Sequence, residues 1–461
     1  MSTMESRILV LLLSLLLVHV RCYGGGGNHV SSGNSPSHNQ HREPPAPSNG
    51  GQNSRLTQVF GWNQMDFVYP NNQARQEALR SGAFDPKTVV PIGVAAAGPR
   101  VFVTMPKWRR NGTPATLATV RFPSNSTSPP LEPYPSWQWH RPGDCEGITS
   151  VFRVKADECG RLWVLDNGVV DTFVRATRIC PPQVHVFDLN NDQLIYRYRF
   201  PDAALKADSL LCTIEVEYPD SPCGGSAGVR GAVLHVADPT TFALIVADLR
   251  QQGTNNAWRI QDKTMYPSPE AGTFTVNRQS FEFMDGVLGL ALSPINNQRE
   301  RTLYYHSMSS FREFWVRTSV LRNSTEATNN PRAYFGTTDT RSSQAAGSSM
   351  DQNGVLFFGL VVNNAVGCWN TRKPFNQRNI ANVAQNDQTL QFVSTVTVDP
   401  ESRLWALSMR FQAVLLNTLS PREPNYRVFM SPSSAAAVRG TSCERGGNFQ
   451  APANQEVIFR P

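Results

Sequence analysis

The stretch ECGRLWVLDNG at 158–168 sets an acid, Asp166, at the end of an apolar and aromatic run. A carboxylate delivered by a strand end can act as a general base, and Asp238, which closes AVLHVAD at 232–238, stands at a matching place. An arginine near either would steady charge that develops on a substrate, so these two acids are the catalytic candidates. The plainer role for an acid at such a position is to cap backbone amides where the strand stops. HExxH, CxxC and P-loop patterns are absent, so no metal site and no cofactor is expected. His140, His185, His235 and His306 are dispersed, and His185 and His235 fall inside strand-like runs, where a hydrogen-bonded core histidine is the expected role. Trp137 and Trp139 in PSWQWH suit either a channel mouth or ordinary packing.

Eight cysteines stand at 22, 145, 159, 180, 212, 223, 368 and 443. Residues 8–20, ILVLLLSLLLVHV, follow Arg7 and are too short to span a bilayer, which reads as a signal peptide over 1–22. Removal of that leader takes Cys22 and leaves an odd thiol. The implied location is secreted and extracellular, with no membrane anchor. Asn111, Asn125 and Asn323 begin glycosylation triplets and would mark surface loops.

The elements that must position these groups are strands. Charged residues make up 17%, and 33 prolines with 32 glycines call for many turns and little helix. Residues 23–56 are rich in Gly, Ser, Asn, Pro and His with almost nothing apolar to bury, and are expected to be disordered. The spacing of His29, His38 and His41 there fixes no metal geometry. From 57 onward a strand, turn, strand pattern recurs at 92–108, 147–168, 214–240, 287–309, 354–370 and 393–411. Further strands fill each unit at 184–189, 194–200, 243–249, 319–323 and 425–430. Six such units predict an all-β fold, a single six-bladed β-propeller over 57–445 with a C-terminal tail at 446–461. TQVFGW at 57–62 is placed to complete the last blade and remove an open edge. Asp166, Asp238, Met308, Asn370 and Met409 would then sit at matching second-strand ends near one mouth of the channel.

The same arrangement sorts the cysteines. Cys145 and Cys180 precede the first and third strands of the second blade and so share one end of the sheet. Cys212 and Cys223 flank a short excursion and are expected to bridge locally, with Cys368 and Cys443 as a long-range pair and Cys159 as the unpaired, buried thiol. The net charge of +7 is scattered, not clustered into a patch or stripe, which argues against a nucleic-acid partner.

MDFVYPNNQARQEALRSGAFDP (65–86), ECGRLWVLDNGVVD (158–171), FFGLVVNNAVGCWN (357–370) and LWALSMRFQ (404–412) resemble, in order, the insect yellow/major royal jelly protein family. The resemblance implies a secreted six-bladed propeller linked to melanin pigmentation and cuticle, with functions that vary among members. From the amine-binding salivary members it implies a channel site using Phe411 for stacking, Met409 where those members carry an Asn, and a hydroxyl from Ser394 or Thr395. The leading expectation is therefore a secreted protein that binds small catechol- or indole-derived compounds in the channel. A dopachrome-converting isomerase and a structural protein of cuticle, eggshell or extracellular matrix are the alternatives.

Overall fold

The computed structural model describes residues 54–253 and 256–444. The leader at 1–22, most of the 23–56 segment and the 446–461 tail lie outside the described residues. The chain forms six four-stranded antiparallel sheets in a ring, a six-bladed β-propeller. The innermost strands are Gly93–Ala97, Val151–Ala156, Thr213–Glu217, Val287–Leu292, Ala345–Met350 and Val393–Val398 for blades one to six. The ring closes as its edge chemistry requires: Thr57–Trp62 pairs antiparallel with Tyr426–Ser431 and becomes the outermost strand of blade six. Leu56, just before it, is already core.

One turn chemistry recurs between first and second strands. In blade two Asp157 Oδ1 accepts from the Cys159 and Arg161 amides, and Oδ2 accepts from Trp163 Nε1 at 2.8 Å. Blade six repeats it: Asp399 accepts from the Arg403 amide at 2.8 Å and from Trp405 Nε1 at 2.6 Å. The acid closes the hairpin while its tryptophan, six residues on, fills the space between blades. Trp163 and Trp405 are fully buried. Each blade interface has its own core, such as Trp163, Val184 and Val186 against Ile214, Leu234 and Val236 between blades two and three. Burial of such side chains contributes about 1.5–3 kcal/mol each.

Two expectations fail in blades four and five. SVLRN contains a helical turn, Thr318–Leu321, because blade four's outer strands are the short Phe314–Arg317 and Phe335–Gly336. FFGLVVNNAVGCWN supplies the second and third strands of blade five, not the first and second, so Asn370 lies at the opposite end of the sheet from Asp166. The true inner strand, AAGSSM at 345–350, is made of small residues because inner strands converge on the axis. A Cβ at Gly347 would sit 2.9 Å from Ser394 O.

The disulfides join Cys145 to Cys180 and Cys368 to Cys443. The third corrects the expected local bridge: Cys159 pairs with Cys223, and Cys212 is the buried free thiol. Cys212 and Cys223 lie beyond opposite ends of the inner strand Thr213–Glu217, and five extended residues span about 16 Å, too far for a bridge. Cys159 and Cys223 both occupy first-to-second-strand loops of neighbouring blades, at the same end. Arg161 reinforces the join by donating to Tyr218 Oη at 2.7 Å and Cys223 O at 3.2 Å.

The axis itself is crossed by a side chain. Arg153, on the inner strand of blade two, donates to Thr213 Oγ1 in blade three, to Leu288 O in blade four at 3.4 Å, and to Ser394 O and Thr395 Oγ1 in blade six at 2.7 and 3.3 Å. Replacing it with methionine keeps the volume but strands those acceptors. Arg153→Met is expected to cost about 3 kcal/mol, read as a lower denaturant midpoint with unchanged slope.

Candidate functional site

In a propeller the starts of inner strands and the ends of second strands ring one mouth of the channel. Here that ring carries Cys212 and Asp285 just before the inner strands of blades three and four, Phe392 before that of blade six, and Met308 and Met409 at second-strand ends. These apolar groups form one cluster with Trp108, Phe281 and Phe411. Two inserted hairpins deliver the remaining rings. Thr273–Val276 with Gln279–Glu282 carries Phe281 and leads into Phe283, and Val169–Val170 with Thr177–Arg178 holds Phe173 in its loop.

Phe411 is the hub. It meets Phe392 at 4.9 Å, Trp108 at 5.9 Å, Phe173 at 6.1 Å, and Phe281 and Phe283 at 6.3 Å. Trp108 and Phe173 stack at 4.7 Å with planes 8° apart. Phe411 and Met409 are buried in this cluster, whereas Phe173, Phe283 and Leu210 remain half-buried at its surface.

The expected ligand residues are thus occupied by the protein. Ser394 Oγ donates to Ile92 O at 3.0 Å, and Thr395 Oγ1 donates to the same oxygen at 2.7 Å while accepting from Arg153. The acids singled out by sequence are occupied too. Asp166 accepts from the Thr149, Ser150 and Gly168 amides at 2.9, 2.8 and 3.1 Å and is fully buried, which is the capping role. Burial raises its carboxyl above the ordinary range, and those amides pull against the rise. Asp238 accepts from the Leu210 amide, from Thr240 and Thr241, and from Arg259 at 3.0 Å.

A third acid, outside the sequence-based candidates, has different surroundings. Asp285, in FMDG at 283–286, is half-buried, and its carboxyl accepts from no side chain among the described residues. Its backbone is fixed by paired bonds with Ser309, whose Oγ accepts from the Asp285 amide at 3.0 Å and whose amide donates to Asp285 O at 3.2 Å. Burial lifts its carboxyl to about 7; the Arg153 charge opposes that rise and the neighbouring Asp238 adds to it. Arg153 in turn is lowered by burial to about 10 and stays a cation, with Asp285 among the charges that hold it up. Burial, then Asp285, push the Cys212 thiol well above its usual range, so it stays protonated. The signal that could have found Asp285 is its place two residues before an inner strand, since strand entries as well as exits line the mouth.

His185 and His235 have no role at the mouth. Burial lowers His185 to about 3, and His235 is bonded to Glu217 at 3.0 Å. Trp137 packs on Tyr69 at 4.8 Å and Trp139 on Phe187 at 5.0 Å. GGSAG at 224–228 has the spelling of a nucleophile elbow, but it lies in a glycine-rich 3-10 excursion, Pro222–Gly231, with no strand-to-helix turn. Among the described residues no group of His, Cys, Asp or Glu could hold a metal ion.

Fold and mouth together define a six-bladed propeller with an acid, a buried arginine and an aromatic cluster at one end of its axis. The family model for major royal jelly proteins matches residues 149–443, and the chain belongs to that family. It is 33% identical over 408 residues to a dopaminechrome tautomerase of Drosophila melanogaster, covering 86% of each chain. It is 35% identical over 410 residues to Protein yellow of Drosophila simulans, covering 88% of this chain and 73% of that one. Protein yellow of Drosophila melanogaster is 34% identical over the same length.

The Asp285 carboxyl links to stability with a definite sign. Between the unfolded value of 3.8 and the folded value of about 7, the native protein holds a proton that the unfolded chain has lost. Its contribution therefore falls as pH rises through that window and is gone above it. Asp285→Asn is expected to be more stable than the parent at pH 8 and to lose that advantage toward pH 4, as measured by chemical denaturation at each pH.

Proposed function

We propose that this protein is a secreted tautomerase of aminochromes, the bicyclic quinonoid products of catecholamine oxidation, with Asp285 as its base. The observation that supports this most is the carboxyl without a side-chain partner, raised to about 7, beside a buried cation and two residues from Phe283, which packs on Phe411. Tautomerisation to the aromatic dihydroxyindole moves two protons from the two saturated ring carbons to the two quinonoid oxygens, with no net change in electrons. In the first of these transfers Asp285 takes the carbon-bound proton, water gives one to a quinonoid oxygen, and Asp285 returns its own to solvent; the second transfer repeats the exchange. A base with a pKa near the working pH is best matched to such a step. The Arg153 charge, close enough to act on Asp285, would steady negative charge that develops on a substrate bound there.

Substrate class follows from the same charges. Asp285 stands at the mouth, and every direct partner of Arg153 is a protein oxygen, so this arginine is not offered to a substrate carboxylate. A decarboxylated, amine-derived aminochrome suits these charges better than one bearing an acid, in agreement with the name of the tautomerase relative. Passage through the secretory route is supported by three disulfides and by the exposure of Asn111, Asn125 and Asn323, and a role in pigmentation by the yellow relatives.

The test is loss of dopaminechrome absorbance above the spontaneous rate. Asp285→Asn is expected to lower kcat/KM at least about a hundredfold, and the parent's kcat/KM is expected to rise with pH to a plateau above 7. Turnover by Asp285→Asn equal to the parent's would refute the assignment.

A further inference from the structure

One cavity lies away from the axis, in the cleft between the outer strand of blade two, Gln193–Arg199, and the loops of blade three. It encloses about 1030 Å³ and is lined in part by Tyr196, Asp202, Ser226, Arg230 and Gln252. We propose that this cleft binds a neutral oligosaccharide.

Charge narrows the ligand first. Arg250 is paired with Asp220 at 3.0 Å and Asp248 at 2.8 Å, and Arg199 is paired with Glu146. What remains unpaired is one cation, Arg230, and one acid, Asp202, so the cleft has no excess charge to hold a polyanion. Polarity narrows it further. Ser226 and Gln252 are exposed and have no hydrogen-bond partner among the described residues, and the Tyr198 hydroxyl with Asn256, bonded at 2.8 Å, adds a polar wall. So many open donors and acceptors would be left unpaired by a lipid or an apolar peptide.

Shape and surface point the same way. The Arg230 guanidinium lies over the Tyr196 ring at 5.9 Å, forming a flat platform. A pyranose presents an apolar face of C–H groups to such a surface and hydroxyl pairs to guanidinium, amide and carboxylate groups around it. The facing loop brings its backbone close because Gly224, Gly225 and Gly228 adopt left-handed angles, with φ of 79°, 54° and 56°. The cleft's volume reaches the upper end of the range for small-molecule sites, enough for several sugar rings.

The experiment is calorimetric titration of the full chain with cellohexaose and, separately, chitohexaose, with heparin as the polyanionic control. Saturable binding of at least one neutral hexasaccharide is expected, with the pair showing whether an acetamido group is required. Tyr196→Ala is expected to weaken it at least about tenfold; Arg230→Ala and Gln252→Ala, both at exposed positions, are expected to weaken it less, and all three should leave dopaminechrome conversion unchanged. The proposal is overturned by no saturable heat with either sugar up to about 10 mM. It is equally overturned by affinity that survives all three substitutions, or by binding confined to heparin and lost in high salt.

Discussion

A guanidinium held across the axis of the ring is the constraint on which the rest of the molecule turns. Arg153 belongs to blade two yet bonds to blades three, four and six, so it joins inner strands that are far apart in sequence. It adds a polar cross-link to an apolar cluster that gathers residues from all six blades near the centre. A cation taken out of water at that point demands acceptors from several sides, and the inner strands supply them as a threonine hydroxyl in blade three, a carbonyl in blade four and both kinds of group in blade six. The small residues of the inner strands follow from the same geometry: Gly347 and Gly289 leave room where side chains would meet the next blade at under 3 Å.

The chemistry of the mouth follows from that cation. Asp285 stands in its field without touching it, and the balance between burial and the Arg153 charge leaves the acid near neutrality, able to both accept and release a proton. Asp166 and Asp238, which resemble it in type and height along the axis, are instead saturated by amides, hydroxyls or Arg259 and hold loops in place. Three acids on neighbouring blades therefore divide into two structural caps and one reactive group, and the division is made by hydrogen-bond partners. The aromatic cluster centred on Phe411 adds an apolar wall at the same mouth.

Much of this was legible in the sequence, and the parts that were not share a physical cause. Strands with aromatic and β-branched residues, such as RLWVLD and VHVFD, announced themselves, and so did ring closure by TQVFGW. AAGSSM did not, because an inner strand near the axis is selected for smallness and loses the alternation by which strands are recognised. Misplacing it moved Asn370 to the wrong end of the ring. The cysteine error arose from sequence proximity, since Cys212 and Cys223 are neighbours along the chain but are separated by the full length of a strand. The pairing of Cys145 with Cys180, argued from strand direction, matched the structure. Ser394 and Thr395 were correctly placed on the inner strand of blade six, but sequence could not show that Ile92 O and Arg153 would engage them. Asp285 escaped notice because it follows no apolar run, and its isolation from partners is a property of three-dimensional surroundings alone.

The central claim is most directly tested by following the Asp285 carboxyl itself. Infrared difference spectra of the parent against Asp285→Asn, recorded across pH 4 to 9, isolate the C=O stretch of the protonated acid. The account predicts a band that is present at pH 5 and disappears with a midpoint near 7. A carboxyl already ionised at pH 5 would contradict it.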